Sequence, residues 1–175
     1  RSLLASAALM LRPRGLVAAS AAKVDPHAWA LLSDTHIVAD RAKIARGINM
    51  AAQLTTVVQD VLAQPRRPVA ALVNGDLSFN TGEAADYAAF VDLIAPLRAA
   101  QIPLHLALGN HDHRERFWAA LRDDATAKRP VADRQVAFVP AARANWFILD
   151  TLDKTNSTPG LLGEAQLAWL ARELD

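Results

Sequence analysis

Three apolar runs, each stopping in a short polar cluster, frame the chain. Trp29-Ala30-Leu31-Leu32-Ser33 runs into Asp34-Thr35-His36, Val69-Ala70-Ala71-Leu72-Val73-Asn74 into Gly75-Asp76, and the stretch from Ile102 to Leu108 into Gly109-Asn110-His111-Asp112. Short, uniformly aliphatic runs of this kind suit strands of a buried parallel sheet. Between the first two, Ile44, Ile48, Ala51, Leu54, Val58 and Val61 recur at helical spacing, which predicts an amphipathic crossover helix that Pro65 must end. Between the second and third, Asn80 and Glu83 form a candidate capping pair ahead of Ala84, Tyr87, Val91, Ile94 and Leu97, a second crossover helix. Parallel neighbours would bring all three polar endings to one sheet edge, where open α/β sheets bind their ligands. Gly109, without a Cβ, lets the backbone turn and present the residues after it.

Beyond the third run, Phe117, Trp118 and Leu121 signal another helix. Gln135 to Val139 and Trp146 to Leu149 read as two strands joined through a loop. Asp153 to Gly163 is rich in turn formers and is expected as a loop near the site edge. Leu167, Leu170 and Leu174 then repeat as one face of a last helix. Trp118, Trp146 and Trp169 sit among apolar neighbours and read as core. His105 reads as a packed strand histidine, His27 as structural or exposed, and Arg66 with Arg67 as a solvated turn between prolines.

Length and composition narrow the picture. A chain of 175 residues buries one core, so a single domain over residues 23–175 is expected. Residues 1–22 differ: a basic start, the apolar stretch Leu3 to Leu11 and an Ala-rich ending read as an export signal, of twin-arginine type or otherwise, with a disordered or helical extension as the alternative. Export would place the protein in the periplasm; without it the protein would be cytoplasmic. The apolar stretch is too short to span a bilayer. Charge is nearly balanced, 19 basic against 18 acidic residues, and no aromatic-basic alternation occurs, so nothing argues for a nucleic-acid partner. With no cysteine, any metal must be held by His, Asp and Asn.

The three endings offer such a donor set. In an extended segment residues i and i+2 point the same way, so Asp34 and His36 can reach one ion together. Asp76 can bridge two ions through its two oxygens, and Asn110 offers a neutral carbonyl to the second. Carboxylate, imidazole and amide together suit Fe, Mn or Zn and are too nitrogen-rich for a calcium cage. Two such ions about 3.5–4 Å apart would generate a bridging hydroxide as nucleophile and clamp a phosphoryl group during in-line displacement. His111 is placed to protonate the departing alkoxide or to stabilise charge on the phosphoryl group, and Asp112 to hold that imidazole in one tautomer. His113 and Arg114 are candidate contacts to a substrate phosphate, with an exposed helix start as the plainer reading.

Ser33-Asp34-Thr35-His36, Asn74-Gly75-Asp76 and Gly109-Asn110-His111-Asp112, in this order and separated by crossover helices, resemble the calcineurin-like metallophosphoesterase family. The Gly109-Asn110-His111-Asp112-x-Arg114 ending, the late Asp150 and the Gly160-to-Leu174 segment are similar to its branch of cyclic-nucleotide and glycerophosphodiester phosphodiesterases. The resemblance implies an α/β/β/α sandwich and a dinuclear centre acting on a small phosphoester, more readily a diester than a monoester. It also implies Asp34 and His36 on the first ion, Asp76 as the bridge, Asn110 on the second and His111 as the catalytic imidazole. The alternative is a non-catalytic binding module on the same fold. The family completes its centre with downstream histidines, and no histidine follows His113 here. The expectation is a chain that carries mostly the first half of the sandwich, incomplete at its C-terminus, and that alone binds metal weakly and turns over little.

Overall fold

The computed structural model describes residues 23–121 and 129–175. The export-signal reading of residues 1–22 lies outside them. Strands β1 (Val24–Ser33), β2 (Arg67–Asn74) and β3 (Leu104–Ala107) form a parallel sheet in that order. The crossovers are α1 (Met50–Leu62) and α2 (Ala84–Ala99), which pack against each other and so share one side of the sheet. Alternation along the strands divides the faces. Ala30, Leu32, Ala71, Val73, Leu104 and Leu106 join the core under the helices with Leu54, Val58, Phe90, Ile94 and Leu97. On the other face Leu31, Leu72 and His105 stand in register.

That second face meets a hairpin of β4 (Ala137–Val139) and β5 (Trp146–Ile148). Trp29 of β1 lies 5.6 Å from His105 and 5.1 Å from Trp146 between ring centroids. The next residue along β5, Phe147, turns the opposite way and packs edge-on against Trp169 of α4 (Glu164–Leu174). Helices, parallel sheet, antiparallel pair and helix therefore follow one another, and the fold is α/β. A short helix, α3 (Arg114–Ala120), starts directly after the third polar ending.

Several local expectations are corrected. Helix α1 begins at Met50, not at Ile44, because the Asn49 side chain caps it by accepting from the Ala52 amide at 2.9 Å. Ile44 and Ile48 lie outside the helix and are exposed, Ile48 being bridged to Ala45. Asn80 does not cap α2; Glu83 is its N-cap residue, and the Glu83 carboxylate instead takes the Thr81 hydroxyl and Arg116. That hydroxyl, more than the neighbouring Arg116, holds Glu83 below the usual carboxylate range. On α4 the buried residues are Gln166 and Trp169, whereas Leu167 and Leu174 are 51% and 64% exposed. The Gln166 amide ties its helix to the Asp150 backbone in both directions, which selects the buried face. Arg67 belongs to β2 and donates to the Ala100 carbonyl rather than sitting in a solvated turn. Trp118 and Trp146 are half-buried; only Trp169 of the three is core.

Candidate metal centre

Past the strand ends the backbones keep running side by side. The Asp34 amide donates to the Gly75 carbonyl at 3.2 Å, the His36 amide to Asp76 at 2.9 Å and the Ile37 amide to Leu77 at 2.9 Å. Asp34 (φ 55°), His36 (φ 44°) and Asp76 (φ 48°) all lie in the left-handed region, a conformation that costs a residue with a Cβ on the order of 1–3 kcal/mol. Strand alternation is thus not what aligns Asp34 with His36, as their spacing suggested. A kinked backbone, held by the paired loops, turns both side chains to one point.

Gly109 is required for close approach rather than for an unusual φ. A Cβ there would lie 2.1 Å from Asp76 Oδ1 and 2.5 Å from its amide nitrogen. The Asp76 carboxylate therefore rests directly on the backbone that leads to Asn110 and His111, and the His111 amide donates to Asp76 Oδ1 at 2.9 Å. The other oxygen, Oδ2, faces His36 Nε2 at 3.8 Å, and Asp34 Oδ1 faces the same nitrogen at 3.9 Å. One donor atom each from His36, Asp76 and His111 lies within 4.8 Å of the others. The Asp76 side chain is 12% exposed and that of Asp34 62%, so Asp76 is the inner and Asp34 the outer carboxylate.

Both imidazoles are oriented by the main chain. His36 Nδ1 lies 3.3 Å from the Phe79 carbonyl and His111 Nδ1 2.9 Å from the Asn80 carbonyl. Each Nδ1 therefore carries a proton and donates, leaving the Nε2 lone pair of each ring available. This is the arrangement that metal-ligating histidines show. Two carboxylates and two imidazoles with free Nε2 fit a divalent first-row ion in chemistry and spacing. Asn110 joins Asp34 and Asp76 in the wall of a cavity of about 920 Å³ whose other side is Trp146, Phe147 and the loop carrying Thr151, Ser157 and Gly160. That turn-rich loop lies at the site edge: Thr155 donates to the Asp112 carbonyl and the Asn156 amide to the Asn110 carbonyl.

The three residues after His111 have other partners than their positions suggested. Asp112 is fully buried, and its carboxylate accepts from the amides of Leu77, Ser78 and Gly109 and from the Tyr87 hydroxyl, all at 2.9–3.2 Å. It does not orient the His111 ring; the Asn80 carbonyl does. Burial pushes the Asp112 carboxyl above its ordinary value, against the pull of those donors. Arg114 turns inward. Its guanidinium grips Asp150 through two bonds, 2.7 and 3.0 Å, and reaches the Leu152 carbonyl. The bond to Asp150 raises the arginine above its already high value. His113 is half-buried against Glu115, Nδ1 to Oε2 at 3.1 Å, with its amide on the Tyr87 hydroxyl.

Three contributors escaped the sequence reading. The Phe79 and Asn80 carbonyls carry no side-chain signal at all. Tyr87 reads as core from its spacing, although it is the chain's single tyrosine and its hydroxyl bonds Asp112 and the His113 amide at the third polar ending.

Comparison with protein-family profiles matches residues 29–165 to "calcineurin-like phosphoesterase". The chain is 32% identical over 82% of its length to a cAMP/cGMP dual specificity phosphodiesterase of Mycobacterium tuberculosis, covering 43% of that protein. It is 31% identical over 82% of its length to a probable cyclic nucleotide phosphodiesterase of Rhodococcus erythropolis, covering 46%. With the 3',5'-cyclic adenosine monophosphate phosphodiesterase of Pseudomonas aeruginosa it shares 32% identity over 82% of its length and 48% of that protein. The chain thus spans about half the length of the curated relatives it matches. With a family profile spanning all three polar endings, and those endings converging on one donor cluster, the chain belongs to the calcineurin-like phosphoesterase family.

Proposed function

We propose that this chain carries the first half of a metal-dependent phosphodiesterase centre acting on a small phosphodiester, with cyclic nucleotides the first class to test. The observation that carries the reading is the pair of imidazoles with Nδ1 tied to successive backbone carbonyls, one donor atom of each ring lying within 4.8 Å of an Asp76 oxygen. His36, Asp76 and Asp34 would hold one ion, and Asp76 with Asn110 a second. Divalent ions there would acidify a water and polarise a phosphoryl oxygen. His111 supplies the proton. When protonated, its Nδ1–H stays on the Asn80 carbonyl while the Nε2–H faces the site, where it can pass to the departing alkoxide. The named activities of the Mycobacterium and Pseudomonas relatives support a diester over a monoester.

The test uses the full-length protein with added manganese. His36→Ala and Asp76→Asn are expected to abolish metal retention and hydrolysis alike. His111→Ala is expected to keep the metal and lose about 10²–10⁴ in kcat on 3',5'-cAMP. On bis-p-nitrophenyl phosphate, whose phenolate leaves unprotonated, the loss should be much smaller. Equal losses on both substrates together with lost metal would make His111 a ligand rather than the proton donor. Wild-type protein that holds manganese yet hydrolyses neither ester would favour a binding module.

A further inference from the structure

Helix α2 reaches the centre through its first turn. Asp86 Oδ1 accepts from the Ala39 amide at 2.9 Å on the loop that follows His36, and its Oδ2 lies 3.4 Å from Ser78 Oγ on the loop that follows Asp76. The next residue, Tyr87, is fully buried. Its hydroxyl donates to Asp112 Oδ1 at 3.0 Å and accepts from the His113 amide at 2.8 Å. Asp112 in turn holds the amides of Leu77 and Ser78, immediately after Asp76, and of Gly109, immediately before Asn110. One phenol therefore closes a circuit through which the loop bearing Asp76 and the loop bearing Asn110 and His111 are fastened to each other and to α2.

We propose that Tyr87 is a positioning residue for the metal centre: its hydroxyl, through Asp112 and the His113 amide, sets the spacing of Asp76 against Asn110 and His111. This rests on the metal-centre reading given above. The ring itself is held independently, edge-on to Phe117 at 6.0 Å, so removing the oxygen leaves the packing in place. Burial, and then the neighbouring Asp112 charge, push the phenol's ionisation far above its ordinary value, so it remains a donor throughout any working pH. The two residues it grips are not candidate ligands. Its effect is exerted through the backbone, on the loop bearing Asn110 and His111 and on the loop bearing Asp76, whose left-handed dihedral needs external support.

The experiment compares wild type, Tyr87→Phe and a stability control, Ile94→Val, which trims the core of the same helix away from the loops. Amide hydrogen exchange and manganese affinity are read for each full-length protein, with kcat and KM on bis-p-nitrophenyl phosphate. Tyr87→Phe is expected to speed exchange at residues 109–113, to weaken manganese binding about tenfold or more, and to lower kcat with KM little changed. Ile94→Val is expected to lose thermal stability without any of these changes. If Tyr87→Phe matches Ile94→Val, with exchange at residues 109–113 unaltered, the phenol is only core and the proposal falls. Exchange is read whether or not the wild type hydrolyses anything, so a protein without phosphodiesterase activity would overturn the functional reading without deciding this one.

Discussion

At the scale of single residues, the centre depends on contacts too close for ordinary side chains. Gly109 has a negative-φ backbone that alanine could adopt, so conformational freedom is not its role. Space is, since Asp76 Oδ1 occupies the place of its missing Cβ. Gly109→Ala must displace that carboxylate, and we expect manganese affinity of the full-length protein to fall by about tenfold or more. Calorimetric titration checks this; unchanged affinity would show that the loop yields without cost. The same scale explains where the Asp112 and Arg114 side chains turn. Both are polar and follow two site residues, yet both are used inward. Asp112 satisfies amides that the kinked loops leave unpaired, and Arg114 neutralises the buried Asp150, whose carboxylate also accepts from the Gln135 and Leu152 amides.

At the scale of elements, the apolar periodicity located each strand and helix but not where each begins. The α1 repeat continues backwards through Ile48 and Ile44, and nothing in hydrophobic spacing stops it there. Asn49 does, because an amide oxygen that accepts from Ala52 satisfies one of the helix's orphan donors. Asn49→Ala is expected to cost about 1 kcal/mol, read as a lower urea midpoint with an unchanged denaturant slope. The last helix shows the converse. Its leucines repeat with the right period, but Gln166 and Trp169 find the partners, a backbone bond and an aromatic face, that decide which side turns inward.

At the scale of the whole molecule, the two sheets meet where the Trp29 ring touches Trp146, with His105 beside Trp29 on the same face of the parallel sheet. Burial holds His105 below the ordinary imidazole value of 6.5, favouring its neutral form in the folded state. A depressed folded value means that the unfolded chain takes up the proton first. His105 therefore supports the fold fully above pH 6.5, and that support is lost as pH falls below 6.5 toward and through the lower folded value. His105→Phe is expected to flatten the stability difference over that window, measured as urea midpoints across pH in metal-free buffer. An identical slope in wild type and variant would remove His105 as its source.

Among the described residues no helix is long and apolar enough to cross a membrane. The order of strands and crossovers, and the gathering of Asp34, His36, Asp76, Asn110 and His111 toward one edge, could be read from the linear chain, because apolar runs and polar endings are local patterns and parallel connection is a general rule. Which oxygen faces which nitrogen could not. Left-handed dihedrals at three acidic and imidazole positions, carbonyls that choose an imidazole tautomer and a phenol that ties two loops exist only once distant segments press together. A backbone atom has no letter of its own, and its partner is chosen by packing.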